Sequence, residues 1–526
     1  MQRGDRLVLL AVVGVSVLLA GLELMITAVA LPAILADLAS WTELRLASWI
    51  VNGYLIVSIV AMPIAGRLVD LLGARPLLLG ALALFVGGSL LSGAAPSLEL
   101  LIAGRLVQGA GGGALIPVAT AAAAELFDGR ARARAIGLVG ALTFVGMAVG
   151  PLAGAWILER VDPAGLLSAL GRPGGLAESL LAPAWRWVFY VNAPIGIAAL
   201  ALGWAASAGW ATPRRSGSLD AVGSLLVAGS LATLLAGVTL ADGTVGSRLL
   251  DPGHPPTLLV ATGLVLGLAA VRHALRSPDP FLDLRILRRP VVAAAGLVAL
   301  LTGYALATAL VGGAVFVDRV RYAGPETQQL VLGALGGAAA VAALSAGFLL
   351  DRLPAGPVTA AGVVAAAAAL AAMAGWGPAT GTETLAAAMA LFGAGFGLTL
   401  TSRSAAAIEA AGSGARGLAS ATVTVARMAG MALGLAVLTA YGSTTIERLS
   451  ADVFATPEAY VAYLPAELRD RPLEDPLVVE ALEDWAAREA ATVLADCFAV
   501  GAFVTAIAIL PAVALGRRRT MLGDDG

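Results

Sequence analysis

The chain contains no lysine: all 33 of its basic residues are arginine. A phosphate-cradling loop of the GxxxxGK[ST] type needs a lysine, so the protein has no ATPase site of that kind. Cysteine is down to Cys497, and no internal disulfide can form. The only histidines, His254 and His273, read as parts of polar connecting segments, which excludes a histidine-rich metal site. Neither an HExxH nor a GxSxG pattern occurs, so the sequence offers no enzyme site of those types. Charge is scarce as well, at 13% of residues against about 25% in soluble domains. A net charge of −2 gives no electrostatic case for binding nucleic acid.

What is present is apolar and small. Hydrophobic residues make up 59% of the 526, with a mean hydropathy of +0.88, more than one soluble core can hide. Aromatics supply only 5%, whereas glycine reaches 64 residues; small side chains let helix backbones approach closely in lipid. Apolar runs predict fourteen spanning helices, over 7–31, 46–65, 77–95, 99–122, 135–157, 188–208, 220–240, 256–273, 291–316, 328–350, 357–376, 383–402, 417–443 and 490–514. The first run lacks a small-residue cleavage site after it and is read as a retained helix. An even number of spans puts both termini on one side. Arg67, Arg75, Arg130, Arg132, Arg134, Arg214, Arg215, Arg272, Arg276, Arg285 and Arg517–Arg519 fall on that side, which predicts that it is cytoplasmic.

The sequence repeats itself at one telling place. Gly66–Asp70 reads GRLVD at the end of the second span, and Gly347–Asp351 reads GFLLD at the end of the tenth. If spans seven and eight are an inserted pair, the two turns occupy equivalent places in two six-helix halves. The expected organisation is therefore an N-terminal half over 1–212, two linker helices over 213–290 and a C-terminal half over 291–526.

Several segments resemble the major facilitator superfamily, in particular its fourteen-helix drug:proton antiporter branch. Leu22–Pro32, LELMITAVALP, is similar to that branch's first helix. Gly66–Arg75 resembles its loop between helices two and three, and Arg105, Gln108 and Gly109 fit RxxQG in helix four. Gly146–Gly154, GMAVGPLAG, resembles the antiporter motif of helix five, and Trp185–Gly196, WRWVFYVNAPIG, the entry to helix six. Departures are Glu23 where the branch usually has Asp, Ala28 for Asn, Leu71 and Ala74 at usually basic loop positions, and Ala155 for the last motif glycine. The resemblance implies an all-α polytopic membrane protein of the major facilitator fold, driven by the proton gradient with no cofactor and no metal.

Glu23 lies well inside the first span, where a carboxylate costs about 2.5–3.5 kcal/mol or more. A carboxyl that takes and releases a proton as a cavity changes sides is what proton coupling requires; a fixed ion pair tying helices together is the alternative. Arg105 is the branch's counterpart for proton transfer by resemblance, and a structural donor to backbone carbonyls otherwise. Gln108, Arg427 and Met25 are candidates for the substrate cavity or its gating, Arg427 having no acid adjacent in sequence. Gly66, Asp70, Gly73, Arg75 and Asp351 form a candidate cytoplasmic gate, with Asp70 expected to pair with an arginine of the other half. Gly146, Gly150 and Gly154 recur every four residues and leave one flat helix face, and Pro151 bends it. The remaining cavity walls are expected to be mostly Ala, Leu, Val and Gly.

Two outer loops are long, over 159–185 and 444–489, the second rich in acids. Proline is absent from 417–453 and from 477–510, so each stretch can form a helix of about 50 Å, against about 30 Å of hydrocarbon. Val478, Leu482, Trp485 and Val493 fall near one stripe. Two helices projecting beyond the membrane as a hairpin, broken near 457–476, are expected; a solvated acidic loop is the alternative. Elongated last helices resemble the lipid-exporting members of the branch. The sequence thus supports export of amphiphilic small molecules from a bacterial cytoplasmic membrane, or export of lipids with a periplasmic lipid carrier as partner. A non-transporting membrane sensor stands as the reading of another class.

Overall fold

The computed structural model describes residues 3–38, 49–162, 165, 180–210, 220–240, 255–278, 280, 281, 283–412, 415–453, 459–473 and 475–515. Arg214, Arg215, His254, Arg517–Arg519, most of the 159–185 loop and the 212–213 boundary lie outside them. The long helices are α1 (Arg3–Leu38), α2 (Trp49–Leu72), α3 (Ala74–Gly93), α4 (Leu98–Leu126), α5 (Gly129–Arg160), α6 (Arg186–Ala206), α7 (Ala221–Leu240) and α8 (Pro255–Arg276). They continue with α9 (Pro290–Val315), α10 (Pro325–Leu349), α11 (Ala355–Met373), α12 (Thr382–Ala411), α13 (Arg416–Val453) and α14 (Pro476–Ile507). Among the described residues thirteen helices are long and apolar enough to cross a bilayer, and α7 is a shorter apolar helix at the seventh expected span.

Local chemistry sets the ends. Pro290, Pro325 and Pro476 open α9, α10 and α14, where the missing N–H costs nothing. Ser97 accepts a hydrogen bond from the Leu100 amide and caps α4. Gly73 joins α2 to α3 at φ +91°, a conformation that lets the chain reverse within one residue and that strains any side chain.

Packing repeats with an offset of eight helices. α1 lies on α4, α5 and α6 as α9 lies on α12, α13 and α14; α4 lies between α2 and α3 as α12 lies between α10 and α11. These are two six-helix units, with α7 and α8 packed on each other and α7 against α2. The units meet along α5 with α10 and along α2 with α13.

Glycine sets the closest approaches. Gly146, Gly150 and Gly154 of α5 lie against Leu18, Leu22 and Ile26 of α1, and a Cβ at Gly150 would stand 2.7 Å from the Leu22 carbonyl oxygen. The equivalent crossing of α9 with α13 uses Gly303, Gly430 and Gly434; a Cβ at Gly434 would stand 2.6 Å from the Tyr304 carbonyl oxygen. In lipid, where burial alone does not drive helices together, such contacts supply the dispersion energy of association.

Two elements differ from the sequence expectation, α12 and the segment around His273. α12 continues to Ala411 instead of ending at 402, which brings Arg403 inside it. His273 belongs to the last turn of α8 and sits 2.9 Å from both oxygens of Asp220, which precedes α7. α13 is 38 residues long, about 57 Å at helical rise. The described part of the expected tip contains two short 3-10 helices, Ala459–Tyr463 and Ala466–Leu468; 454–458 and 474 lie outside the described residues. Tyr441 of α13 donates to Asp496 of α14 over 2.7 Å, and the Tyr463 and Trp485 rings stand 4.7 Å apart. Val478 and Val493 of the expected stripe are buried, with Leu482 and Trp485 half-buried.

Replacing Gly150 by leucine forces α1 and α5 apart, an overpacking cost of about 1–3 kcal/mol. The melting temperature of the detergent-solubilised protein should fall by several degrees. Gly80→Leu, at an exposed site with nothing within 4 Å of the new Cβ, should leave it unchanged.

Candidate functional site

Glu23 is fully buried in α1, and its carboxylate is saturated. One oxygen, Oε1, accepts from the Arg105 guanidinium of α4 and from Thr27 Oγ1 at 2.8 Å. The other, Oε2, accepts from Asn192 Nδ2 of α6 at 2.7 Å. Arg105 is itself satisfied: Nε donates to the Ile50 carbonyl at 3.0 Å, Nη1 also to Gln108 Oε1 at 2.7 Å, and the Tyr54 ring lies 4.2 Å away. Ser89 of α3 closes the network, taking hydrogen bonds from Gln108 and Asn192 and donating to the Phe189 carbonyl. Glu23 and Arg105 are therefore one ion pair at the junction of α1, α4 and α6, the arginine placed to stabilise the ionised acid. Thr27, Ser89, Asn192 and Tyr54 went unnoticed in the sequence. Asn192 alone carried a signal, as an amide inside the entry to α6.

A cavity of about 160 Å³ lies between the two units, lined from α2, α4, α5, α9, α12 and α13. Of the expected alanine, leucine, valine and glycine only leucine and Val423 line it; the other uncharged walls are methionine, isoleucine, Phe144, serine and threonine, with Met62, Met147, Met428 and Met431 among them. Arg427 lines the cavity, and so does Arg403. Gln108 and Met25 do not: Gln108 belongs to the Glu23 network, and the Met25 Cβ lies where a side chain at Gly150 would stand.

The two repeated turns meet the opposite unit at the Arg-rich ends of the helices. Asp70 is buried there. Its carboxylate accepts from the amides of Gly417 at 2.8 Å and Leu418 at 2.6 Å, at the N-terminus of α13, where the helix dipole favours an anion. Asp351 accepts from Arg134 of α5 through both Nε and Nη2. Gly66 packs on Gly417 and Ala421, and Gly347 on Ala133 and Arg134. First and last residues of both five-residue repeats thus lie on the seam between the units. Arg75 turns away from it and donates to Ser207 at the end of α6.

A family model described as Major Facilitator Superfamily matches residues 13–435. The chain belongs to the major facilitator superfamily. It is 30% identical over 84% of its length to a triacylglyceride transporter of Mycolicibacterium hassiacum, covering 80% of that protein. It is 34% identical over 55% of its length to a multidrug resistance protein B homolog of Mycobacterium tuberculosis, covering 49% of that chain. The solved structure of the human organic anion transporter MFSD10 matches over 96% of the chain and 100% of its own, at 15% identity and a TM-score of 0.57, a likeness of fold alone. In this superfamily of secondary transporters the chain is a multi-pass membrane protein and a transporter, not an enzyme.

If the Asp70 and Asp351 contacts hold the Arg-rich end closed, removing them opens it. In a Cys497→Ser background, a cysteine at Thr120 on the cavity wall should react several-fold faster with an impermeant thiol reagent applied from that side once Asp70→Asn and Arg134→Ala are combined. Unchanged labelling would show that other contacts keep the seam shut.

Proposed function

We propose that this chain is a proton-coupled exporter of amphiphilic small molecules, of the fourteen-helix drug:proton antiporter branch. The two units are 1–212 and 291–526, with 213–290 as the inserted linker pair. The Arg-rich side faces the cytoplasm, both termini with it, and the membrane is the bacterial inner membrane. The carrying observation is that a buried acid–arginine centre stands apart from an apolar cavity between the units, so proton and substrate have separate sites.

Protonation of Glu23 Oε removes its charge and with it the attraction that holds Arg105 to α1. Arg105 keeps the Ile50 carbonyl and Gln108 as acceptors, so it is not left bare. α1 is then free to shift on the glycine face of α5, and α5 carries both the cavity residues Thr143, Phe144 and Met147 and the seam residue Arg134. A proton entering from one side is thereby exchanged for substrate leaving on that side.

Lipid export is the second reading. It is favoured by the length of α13 and of the Pro476–Ala514 stretch, 38 and 39 residues, each about 57 Å against about 30 Å of hydrocarbon. Paired helices projecting on the periplasmic side offer a sheltered route for acyl chains and a docking point for a lipid-carrier protein.

The test is transport into or out of proteoliposomes under an imposed pH gradient, with ethidium and with a pyrene-labelled acyl lipid as probes. Gradient-dependent movement of ethidium supports small-molecule export, and movement of the lipid alone supports lipid export. In either case Glu23→Gln should reduce the rate about tenfold or more, since a neutral amide cannot cycle a proton. Folded protein that moves neither probe would leave a non-transporting sensor.

A further inference from the structure

The buried arginines Arg105 and Arg403 differ in their partners. Arg105 is matched by a carboxylate, an amide oxygen, a carbonyl and an aromatic face, and Arg186 gives Nη1 to the carbonyls of Gly93 and Ala95 while its Nε has no partner. Arg403 is as deeply buried, at 0% exposure, and lies 5.6 Å from the centre of the Phe396 ring, yet makes one hydrogen bond, from Nη1 to Thr302 Oγ1. Its Nε and Nη2 have no partner, nor has Nε of Arg427. Neither arginine forms an ion pair with a described acid, and no acid is among the residues lining the cavity. The two belong to one corner: the Arg427 backbone packs on Gly303, next to the Thr302 that receives Arg403.

A buried charge with orphaned donors is costly in a span, and two of like sign cost more. No carboxylate on the cavity's walls offsets them. Six of the seven wall hydroxyls donate their own protons to backbone carbonyls: Thr401 to Ala343, Ser404 to Leu400, Thr424 to Ser420, Thr143 to Val139, Thr120 to Ile116 and Ser58 to Gly109. Besides the Ser420 hydroxyl, the donors left without a partner on the lining residues are guanidinium N–H groups, whose planar fork matches two oxygens of one oxyanion. The rest of the wall is methionine and aliphatic, a surface that adapts to an acyl or ring system of varied shape.

We propose that the cavity takes an amphiphile by its anionic head, a carboxylate or phosphate held between Arg403 and Arg427, with the apolar tail against the methionine wall. This rests on the exporter reading and names its substrate class. A cationic amphiphile would meet two guanidinium groups and no counter-charge.

The test is equilibrium binding, without any gradient, to purified protein in nanodiscs of zwitterionic lipid. The probes share one pyrene-labelled chain and differ at the head: carboxylate, phosphate monoester, methyl ester and trimethylammonium. The anions should bind at least tenfold more tightly than the ester or the ammonium. Arg403→Gln and Arg427→Gln should each lose most of that preference, and Arg427→Lys should keep part of it, with the melting temperature verifying that each variant is folded. Carboxylate binding alone points to a fatty-acid-like ligand and phosphate binding alone to a lipid phosphate; either supports the site. Ammonium binding equal to or tighter than anion binding, or anion binding unchanged in Arg427→Gln, overturns it. Anion binding in a protein that transports nothing sinks the exporter reading and leaves the site, whereas ethidium export without anion preference does the reverse.

Discussion

Glu23 sits inside a membrane-spanning helix, and the protein interior around it receives its charge. Arg105, Asn192 and Thr27 come from α4, α6 and α1, and the first two have their positions fixed by further bonds. Ser89 holds the Asn192 and Gln108 amides, and the Tyr54 ring, Gln108 and the Ile50 carbonyl hold the guanidinium. Removing any one partner leaves a buried polar group unmet, which costs more than the bond itself contributed. That is why α1, α3, α4 and α6 must pack in one arrangement while the acid is ionised, and why the arrangement can change once it is not.

α5 connects this centre to the rest. Its glycine face lies on α1 beside Glu23, its middle reaches the cavity through Thr143, Phe144 and Met147, and its Arg-rich end reaches Asp351 through Arg134. A helix that touches the helix carrying the acid, the cavity and the seam can transmit displacement between them without a chain of polar contacts. Glycine on the α1 side makes this possible, because no side chains interlock to fix the register of the two helices.

Much of this was legible beforehand, and the pattern of what was not is physical. Apolar run length marks a span because lipid demands it, so the helices were readable. Glu23 and Arg105 stood out because charge inside a span is rare. The repeat of Gly66–Asp70 in Gly347–Asp351 was visible, but its partners were not: the α13 amides and Arg134 lie hundreds of residues away, and no local rule connects them. Arg403 was missed because hydropathy falls over Thr399–Ser404 and the span was ended there. The helix continues because the two units, not water, surround that turn. Asn192 and Ser89 were ordinary polar residues until the fold aimed them at Glu23.

The two buried charge clusters differ in sign balance. In the N-terminal unit Glu23 and Arg105 sum to zero, while the cavity holds Arg403 and Arg427 with no acid beside them. At low dielectric such a pair of cations raises the energy of every state in which it is sealed from water. An anion between them lowers that energy, and lowers it most when the cavity is closed. An empty cavity would then resist occlusion and a loaded one would accept it. An exporter needs that bias, since closing without substrate wastes the proton that drives it. The same pairing explains how a wall without shape selectivity can still discriminate: the methionines accept almost any tail, and the head group decides whether the cavity can close.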